Sequence, residues 1–507
     1  MFQRTVATTP DKEALVDGSR GLRYTYTELE SHAKALGAVL QAQGVGHQDT
    51  FATLLTNGVE ITSSILVASR IGAIVNTVNY RQSLDGIEHI VTDSKAEVLV
   101  FDPANRDKVD RLHKDLDTVK TFLYTGEDVP DYAESYWDHV DAHAGEEPDS
   151  VDVAPEDHCY LIYTSGTTGL PKGCLHQVGP LMEHTYVTMC ETRITDRART
   201  LVVAPQAHIA GAWEQGIPTL LYGGTTVTLA DFDPTQVLRI IEEEAISHTF
   251  AVPTMWKSLL EVEPERYDVG SVQTIMTMAA AVSPRLAREV LEAFDPDYFG
   301  NWLGSSEGFN ILTNDVTIRP DTAESPGTAF PNAEIRVVEF GGAPTDEVDR
   351  GVTGELIVKS PFLMDKYLGL PEENEKSFQD GWYYTGDAGY IGEDGLFWPE
   401  GRKKHIINTG GENVSDVHVE NVLSEHEDVA EVAVVGVPDD RWGERVVACI
   451  VPAAASSLSE DELLAWADER RDLAGYECPK GVRFMEEFPR SAGMKVQKSK
   501  LLERILE

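Results

Sequence analysis

The chain has 507 residues, 42% of them hydrophobic and 25% charged, which excludes a disordered or fibrous protein and leaves enough length for roughly two to four structural units around sizeable cores. Its 85 Asp and Glu against 42 Lys and Arg give a net charge of −43, a field that repels phosphate backbones and excludes general nucleic-acid binding. Only 17 of the 42 cations are Lys, and acid excess spread along the whole chain fits a halophilic protein of a high-salt cytoplasm, where screening relieves self-repulsion; the plainer alternative is an acidic mesophilic enzyme.

The N-terminal MFQRTVATTPDKEALVD lacks the apolar stretch of an export signal, and no run of about 18 apolar residues follows, so no transmembrane segment is expected. From Thr25, TYTELESHAKALGAVLQAQGV places apolar residues at helical spacing behind a Thr cap and ends at Gly44. DTFATLLTNG then predicts a strand and turn, EITSSILVASRIGAIV a second helix, and AEVLVFD a short buried strand, a βαβ rhythm that argues for a parallel α/β sheet. Residues 126–157 are rich in Asp, Glu and Pro and predict an exposed, acid-coated connection. The α/β rhythm resumes with CYLIYT, TLVVAP, TTVTLA and HTFAVP as strands, and 325–400 changes to Gly-punctuated alternation that predicts β-hairpins or a small barrel. From 402 onward, EVAVVGVPD, RVVACIVPA and the helix SEDELLAWADERRDL predict a compact α+β unit. The five cysteines (Cys159, Cys174, Cys190, Cys449, Cys478) are dispersed, without metal or redox spacing, as expected of reduced thiols in a cytoplasmic protein.

The strongest chemical signal is Tyr163-Thr-Ser-Gly-Thr-Thr-Gly-Leu-Pro-Lys-Gly173, directly after a strand. Gly166 and Gly169 permit tight turns with N–H groups directed inward, Thr164, Ser165, Thr167 and Thr168 supply hydroxyl donors, and Lys172 adds a cation. By composition this is a phosphate cradle, though not a GxxxxGK[ST] loop, because no Ser or Thr follows Lys172. In GWYYTGDAGY a turn presents Asp387, whose carboxylate suits two vicinal hydroxyls such as those of a ribose. In NWLGSSEG, Glu307 follows Gly304, Ser305 and Ser306; a hard oxygen ligand beside a triphosphate suits Mg²⁺.

YTSGTTGLPKG resembles the signature loop of the adenylate-forming superfamily, which includes acyl-CoA synthetases and peptide-synthetase adenylation domains. Further matching blocks run in the family's order over nearly the whole chain: VNYR (78–81), PQAH (205–208), VPTM (252–255), GSSE (304–307), GELIVKSP (354–361), GWYYTGD (381–387), GRKKHIINTGGENV (401–414) and PRSAGMKVQK (489–498). The resemblance implies an α/β fold with a large N-terminal region, 1–401, of two α/β subdomains plus a β-rich one, and a small mobile α+β C-terminal domain, 402–507. It implies a ligase that activates a carboxylic acid, fatty or related, with ATP and Mg²⁺ as acyl-AMP, and then passes the acyl group to coenzyme A.

The resemblance also assigns residues. Asp387 and Arg402 would contact the ribose, and Glu307 with Thr164 would hold the metal. Ala280 and Ala281 fall in a Gly/Ala-rich segment beside the nucleotide, or simply pack the sheet. Trp302 and Leu303 stand where the family stacks an aromatic on adenine, with Leu303 at the aromatic's own position. Lys404 falls at the hinge, and Gly410, Gly411 and Glu412 match a loop that lines the thiol tunnel. Lys495 is the catalytic cation that lets two anions, carboxylate and α-phosphate, join; Met494 replaces the usual preceding glycine, and Lys498 and Lys500 are its fallbacks. His208 stands at the mouth of the acyl pocket as an aligning residue, with Ala210, Trp213 and Glu214 beyond it. Glu214 either pairs with a cationic acid of the betaine type or points to solvent. Two further readings remain: an enzyme that loads a carrier protein, and an inactive acyl-nucleotide binder. The partners expected are small molecules, and the sequence is compatible with a homodimer.

Overall fold

The computed structural model describes residues 1–164, 170–280, 282–402, 407–409, 412–439, 442–454, 456–470, 473, 475–490 and 495–506. The chain divides into two compact units, Met1–Glu334 with Ser360–Glu375, and Ile335–Lys359 with Lys376–Glu507.

The first unit is built on two large sheets. One runs, strand by strand, Lys366–Tyr367, Lys172–Gln177, His158–Thr164, Ile74–Thr77, Thr50–Leu54, Val98–Phe101, Thr121–Tyr124 and Glu134–Ser135. The other runs Thr328–Ala329, Phe309–Asp315, Tyr298–Ser305, Thr274–Thr277, His248–Phe250, Arg199–Val202, Thr225–Thr228, Glu13–Asp17 and Leu22–Thr25. Interior pairings are parallel and the hairpins at the edges antiparallel, the α/β arrangement that the βαβ rhythm predicts. Val16, Leu201, Val227, Ile275 and Phe299 of the second sheet bury against Val237 and Ile241 of the helix Pro234–Glu243 and against Leu286 and Val290 of Pro284–Phe294. Ala52, Leu99 and Phe101 of the first sheet pack with Ile87 and Ile90 of Leu84–Asp93 in the same way.

Local chemistry sets the boundaries. The helix Tyr26–Ala42 starts at a capping box in which Thr25 accepts from the Glu28 backbone while the Glu28 carboxylate receives the Thr25 N–H, and it buries Leu29, Leu36, Val39 and Leu40. The second predicted helix is shorter than its apolar run. It covers Val59–Ile71 and stops at Gly72, whose φ of 68° ends the helical turn; Ile74–Thr77 then forms a strand in the sheet. The acidic stretch 126–157 is not a bare connection. It carries the strand Glu134–Ser135 and the helix Tyr136–Ala142, and Tyr136 is fully buried against His32, ring centroids 5.8 Å apart.

Among the described residues, the second unit holds two five-stranded sheets. In the first, Glu334–Val338, Gly354–Lys359, Trp382–Ile391 and Phe378–Gln379 lie in that order, with Phe397–Arg402 also pairing with Trp382–Ile391. This is an open sheet of hairpins rather than a closed barrel. In the second, Gly443–Pro452 pairs with Val429–Asp439, Ile407–Thr409 and Val482–Phe484. Ile407, Val434, Ala448, Ile450 and Leu463 form the core beneath it.

Candidate functional site

The flanks of the hydroxyl-rich turn are held firmly. Thr164 and Lys172 are register partners where the antiparallel strands His158–Thr164 and Lys172–Gln177 meet. The Tyr163 hydroxyl donates to Asp93 at 2.7 Å, and His89 Nε2 donates to the Pro171 carbonyl at 3.0 Å, so one helix, Leu84–Asp93, braces both ends. Ser165, Gly166, Thr167, Thr168 and Gly169 themselves lie outside the described residues, as does Ala281.

A second hairpin, Tyr298–Ser305 to Phe309–Asp315, presents Leu303, Gly304, Ser305 and Ser306 as an accessible run. Gly304 follows a register shift, and a Cβ there would stand 2.3 Å from the Phe309 carbonyl oxygen, so only glycine lets the strands close. Phe309 itself sits at φ 50°, a strained conformation for an aromatic residue. Trp302 is buried, donating Nε1 to the Tyr298 hydroxyl at 3.0 Å and packing edge-on against Phe330. The pleat therefore sends Trp302 into the core and leaves Leu303 on the accessible side. Ala279 and Ala280 are exposed just past the parallel strand Thr274–Thr277, and Ala279 has φ 75°. They do not pack the sheet; they form a strained turn at a strand's carboxyl end, where open α/β sheets bind ligands.

Glu307 is largely buried, and its Oε1 accepts from the Tyr367 hydroxyl at 2.8 Å. The Tyr367 ring in turn lies under Lys172 Nζ, 5.4 Å from the centroid, and Lys172 is ion-paired with Glu373. The cation of the first turn and the carboxylate of the second are thus joined through one aromatic side chain. His176 Nε2 donates to the Ser306 carbonyl at 2.8 Å, and burial pulls its pKa down to about 3, so it acts as a neutral brace for the hairpin backbone. Among the described residues no three or more of His, Cys, Asp and Glu gather as a metal cage.

His208 precedes the short helix Ile209–Gly211. Asn79 Oδ1 accepts from the Arg81 backbone at 2.9 Å, which turns its Nδ2 toward His208 Nε2, also at 2.9 Å. His208 Nε2 is then an acceptor and its proton sits on Nδ1, a tautomer assigned from the hydrogen bonds. The VNYR and PQAH blocks meet here. Ala210 is half-buried, and the π-helical segment Ala212–Gly216 carries Trp213 and Glu214 inward. Glu214 does not point to solvent: it is 1% exposed and accepts from Asn310 Nδ2 at 2.5 Å.

In the second unit Asp387 and Arg402 are register partners of adjacent strands. Arg402 Nε donates to Asp387 Oδ1 at 2.9 Å and its Nη1 donates to the Thr385 carbonyl at 2.8 Å. Lys404, Gly410, Gly411 and Met494 lie outside the described residues; Glu412 begins a strand paired to Thr409. Lys495 is exposed, beside the bridge that joins Arg490 to Val496. Lys498 is different. Its ammonium is ion-paired with Asp416 and stands 2.5 Å from Glu420, with a side chain only 14% exposed. Burial pulls its pKa down, but the two carboxylates outweigh that and raise it. Lys498 is thus held as a structural cation, whereas Lys495 and Lys500 are both exposed.

Sequence reasoning did not single out His176, His184, Asn310, Tyr367 or Glu373. Each gains its meaning from a partner 60 or more residues away; only the odd His in the apolar alternation of KGCLHQ carried a signal.

The family model "AMP-binding enzyme" matches residues 2–368, and "AMP-binding enzyme C-terminal domain" matches 418–495. A feruloyl-CoA synthase of Amycolatopsis sp is 33% identical over 506 residues, covering 99% of this chain and 97% of the relative. An indoleacetate–CoA ligase of Aromatoleum aromaticum is 32% identical, covering 98% and 96%. The crystal structure of ATP-bound MatB from Rhodopseudomonas palustris superposes with a TM-score of 0.87 at 27% identity, covering 99% of this chain and 98% of that one.

Proposed function

The chain belongs to the AMP-binding enzyme family and is an AMP-forming carboxylate–CoA ligase, and from that premise we propose which of its residues carry each part of the reaction. An acid and ATP give acyl-AMP and pyrophosphate; the thiol of coenzyme A then takes the acyl group and releases AMP. The observation that best supports the residue assignment is the Lys172–Tyr367–Glu307 connection, which couples the cation of the hydroxyl-rich turn to the carboxylate of the Gly304–Glu307 hairpin.

In the first step a carboxylate oxygen bonds to the α-phosphorus as the bond to pyrophosphate breaks. Both partners are anionic, and negative charge builds on the equatorial oxygens, so cations fixed in advance lower the barrier. Thr164, Ser165, Gly166, Thr167, Thr168, Gly169 and Lys172 take the phosphates. The lysine exchanges Glu373 for phosphate oxygens when ATP arrives. Ala280, Ala281, Leu303, Gly304, Ser305 and Ser306 line the base and α-phosphate. Asp387 accepts from the ribose hydroxyls while Arg402 orients it. Lys495 supplies the cation at the α-phosphate. His208, its Nε2 held by Asn79, directs Nδ1–H toward the acid's carboxylate and orients it; no base is needed because the substrate is already ionised.

Glu307 with Thr164 suits Mg²⁺, which binds through one or two protein oxygens plus phosphates and water rather than through a closed cage. When bound, Mg²⁺ neutralises charge on the phosphate oxygens. In the second step Lys404 serves as the hinge of a C-terminal domain, 402–507, and Gly410, Gly411 and Glu412 line the passage of the thiol. The acid excess is assigned to a halophilic cytoplasm.

The test is pyrophosphate release in molar KCl over a panel of acids, followed by thioester formation with free coenzyme A or with a carrier protein. Acid-dependent release with thioester on free coenzyme A is expected. Thioester on the carrier protein alone makes the chain a loading enzyme, and ATP binding without release from any acid makes it a binder.

A further inference from the structure

Glu214 is a carboxylate at 1% exposure in a chain whose other acids mostly face water, and among the described residues no Lys or Arg is ion-paired with it. Its Oε2 accepts from Asn310 Nδ2 at 2.5 Å. The same amide nitrogen lies 3.3 Å from His184 Nε2, and the Thr188 hydroxyl lies 3.2 Å from that nitrogen. His184 Nε2 and Glu214 Oε1 are 3.4 Å apart, an ion pair only were the imidazole charged. The amide spends one hydrogen on the carboxylate and the other on the imidazole, which makes Nε2 an acceptor and puts the ring proton on Nδ1.

What remains is an imbalance. Among the described residues, Glu214 Oε1, Asn310 Oδ1 and Gln215 Oε1 are buried with no hydrogen-bond partner, and against these three acceptors stand two unpartnered ring N–H groups, His184 Nδ1 and Trp213 Nε1. Buried polar atoms are almost always paired, and acceptors left without a donor destabilise the fold. A cluster with surplus acceptors is completed by a donor brought from outside.

Its placement says what brings that donor. Asn310 stands three residues after Glu307 in the hairpin of the candidate site, and Glu214 lies six residues after His208 on the helical segment that follows it. An acid aligned at its carboxylate by His208 and running along this segment carries its far end to Glu214. We infer that the acid activated by this chain bears an O–H or N–H donor at its distal end, received by Glu214 Oε1 and the Asn310 side-chain carbonyl. This rests on the ligase reading above and narrows it, because a plain alkyl chain would leave the cluster unpaired in the bound state as well. Asn310 and His184 act as positioning residues that hold the carboxylate in place.

The test uses the full-length protein and matched acids: 4-hydroxyphenylpropanoate against 4-methylphenylpropanoate, an ω-hydroxy against an ω-methyl straight-chain acid, and a trimethylammonium acid without a donor. Pyrophosphate release gives kcat/KM for each. Wild-type enzyme is expected to favour the hydroxyl member of at least one pair by about 30-fold or more. Glu214→Leu is expected to erase that ratio by losing the hydroxyl acid while keeping the methyl one, and Glu214→Gln to retain part of it. Should Glu214→Leu fail to fold, the wild-type and Gln ratios decide. Equal rates within both pairs, a retained ratio in Glu214→Leu, or preference for the trimethylammonium acid overturns the inference while the ligase stands. No release from any acid in a wider screen overturns the ligase reading itself.

Discussion

Asp387 and Arg402 face each other across two neighbouring strands, and the arginine Nε donates to the aspartate Oδ1 at 2.9 Å. Fifteen residues apart in sequence, they are fixed by strand register rather than by a mobile loop. The guanidinium also holds the Thr385 carbonyl at 2.8 Å, so the carboxylate is oriented before any ribose arrives. Asp387→Ala is expected to raise KM for ATP at least tenfold with little change in melting temperature, and Arg402→Lys to give a smaller rise, because an ammonium keeps the positive charge beside Asp387 but cannot reproduce the two directed bonds. Initial rates of pyrophosphate release against ATP concentration check both.

Gly304→Ala tests the hairpin. The new Cβ would lie 2.3 Å from the Phe309 carbonyl, so the strands must part where Ser305, Ser306 and Glu307 are presented. Overpacking of this kind costs about 1–3 kcal/mol, and adenylation should fall by more than tenfold beyond what the stability loss explains. Thermal melts alongside ATP-dependent kinetics separate the two effects.

His176 gives a pH dependence with a defined sign. Burial lowers its pKa from 6.5 to about 3, so between those values the unfolded chain binds a proton that the folded one excludes. Its contribution is complete above pH 6.5 and is lost as the pH falls, on the order of 4 kcal/mol by pH 3. His32 and His248, each lowered by burial to about 4, act in the same direction. Urea midpoints should drop from pH 7 to pH 4.5, and the drop should be smaller in His176→Gln, whose amide keeps a donor for Ser306.

How much of this was legible in the sequence depends on range. The helix Tyr26–Ala42 was readable because its cap and apolar face are local. The limit of Val59–Ile71 was not, because buried strand and buried helix share one apolar vocabulary and only the left-handed Gly72 divides them. Tyr136–Ala142 was hidden by the acidic residues around it. At the candidate site, the motif blocks located Lys172, Glu307 and Asp387, but no spacing announces that Tyr367 bridges two of them or that Glu214 is buried against Asn310. Those pairings lie 60 and 96 residues apart and exist only once the strands are assembled.

The charge of −43 makes salt a measurable variable. Raising KCl from about 0.2 to about 2 M shortens the screening length from roughly 7 Å to a few ångströms and should raise the melting temperature by several degrees. A flat or falling profile would contradict the high-salt assignment.

The most direct measurement concerns Lys495→Ala, assayed separately for pyrophosphate release from acid and ATP and for thioester formation from supplied acyl-AMP and coenzyme A. Loss of the first with the second preserved is the predicted result; equal loss of both, or an unimpaired first step, would contradict the role given to this lysine.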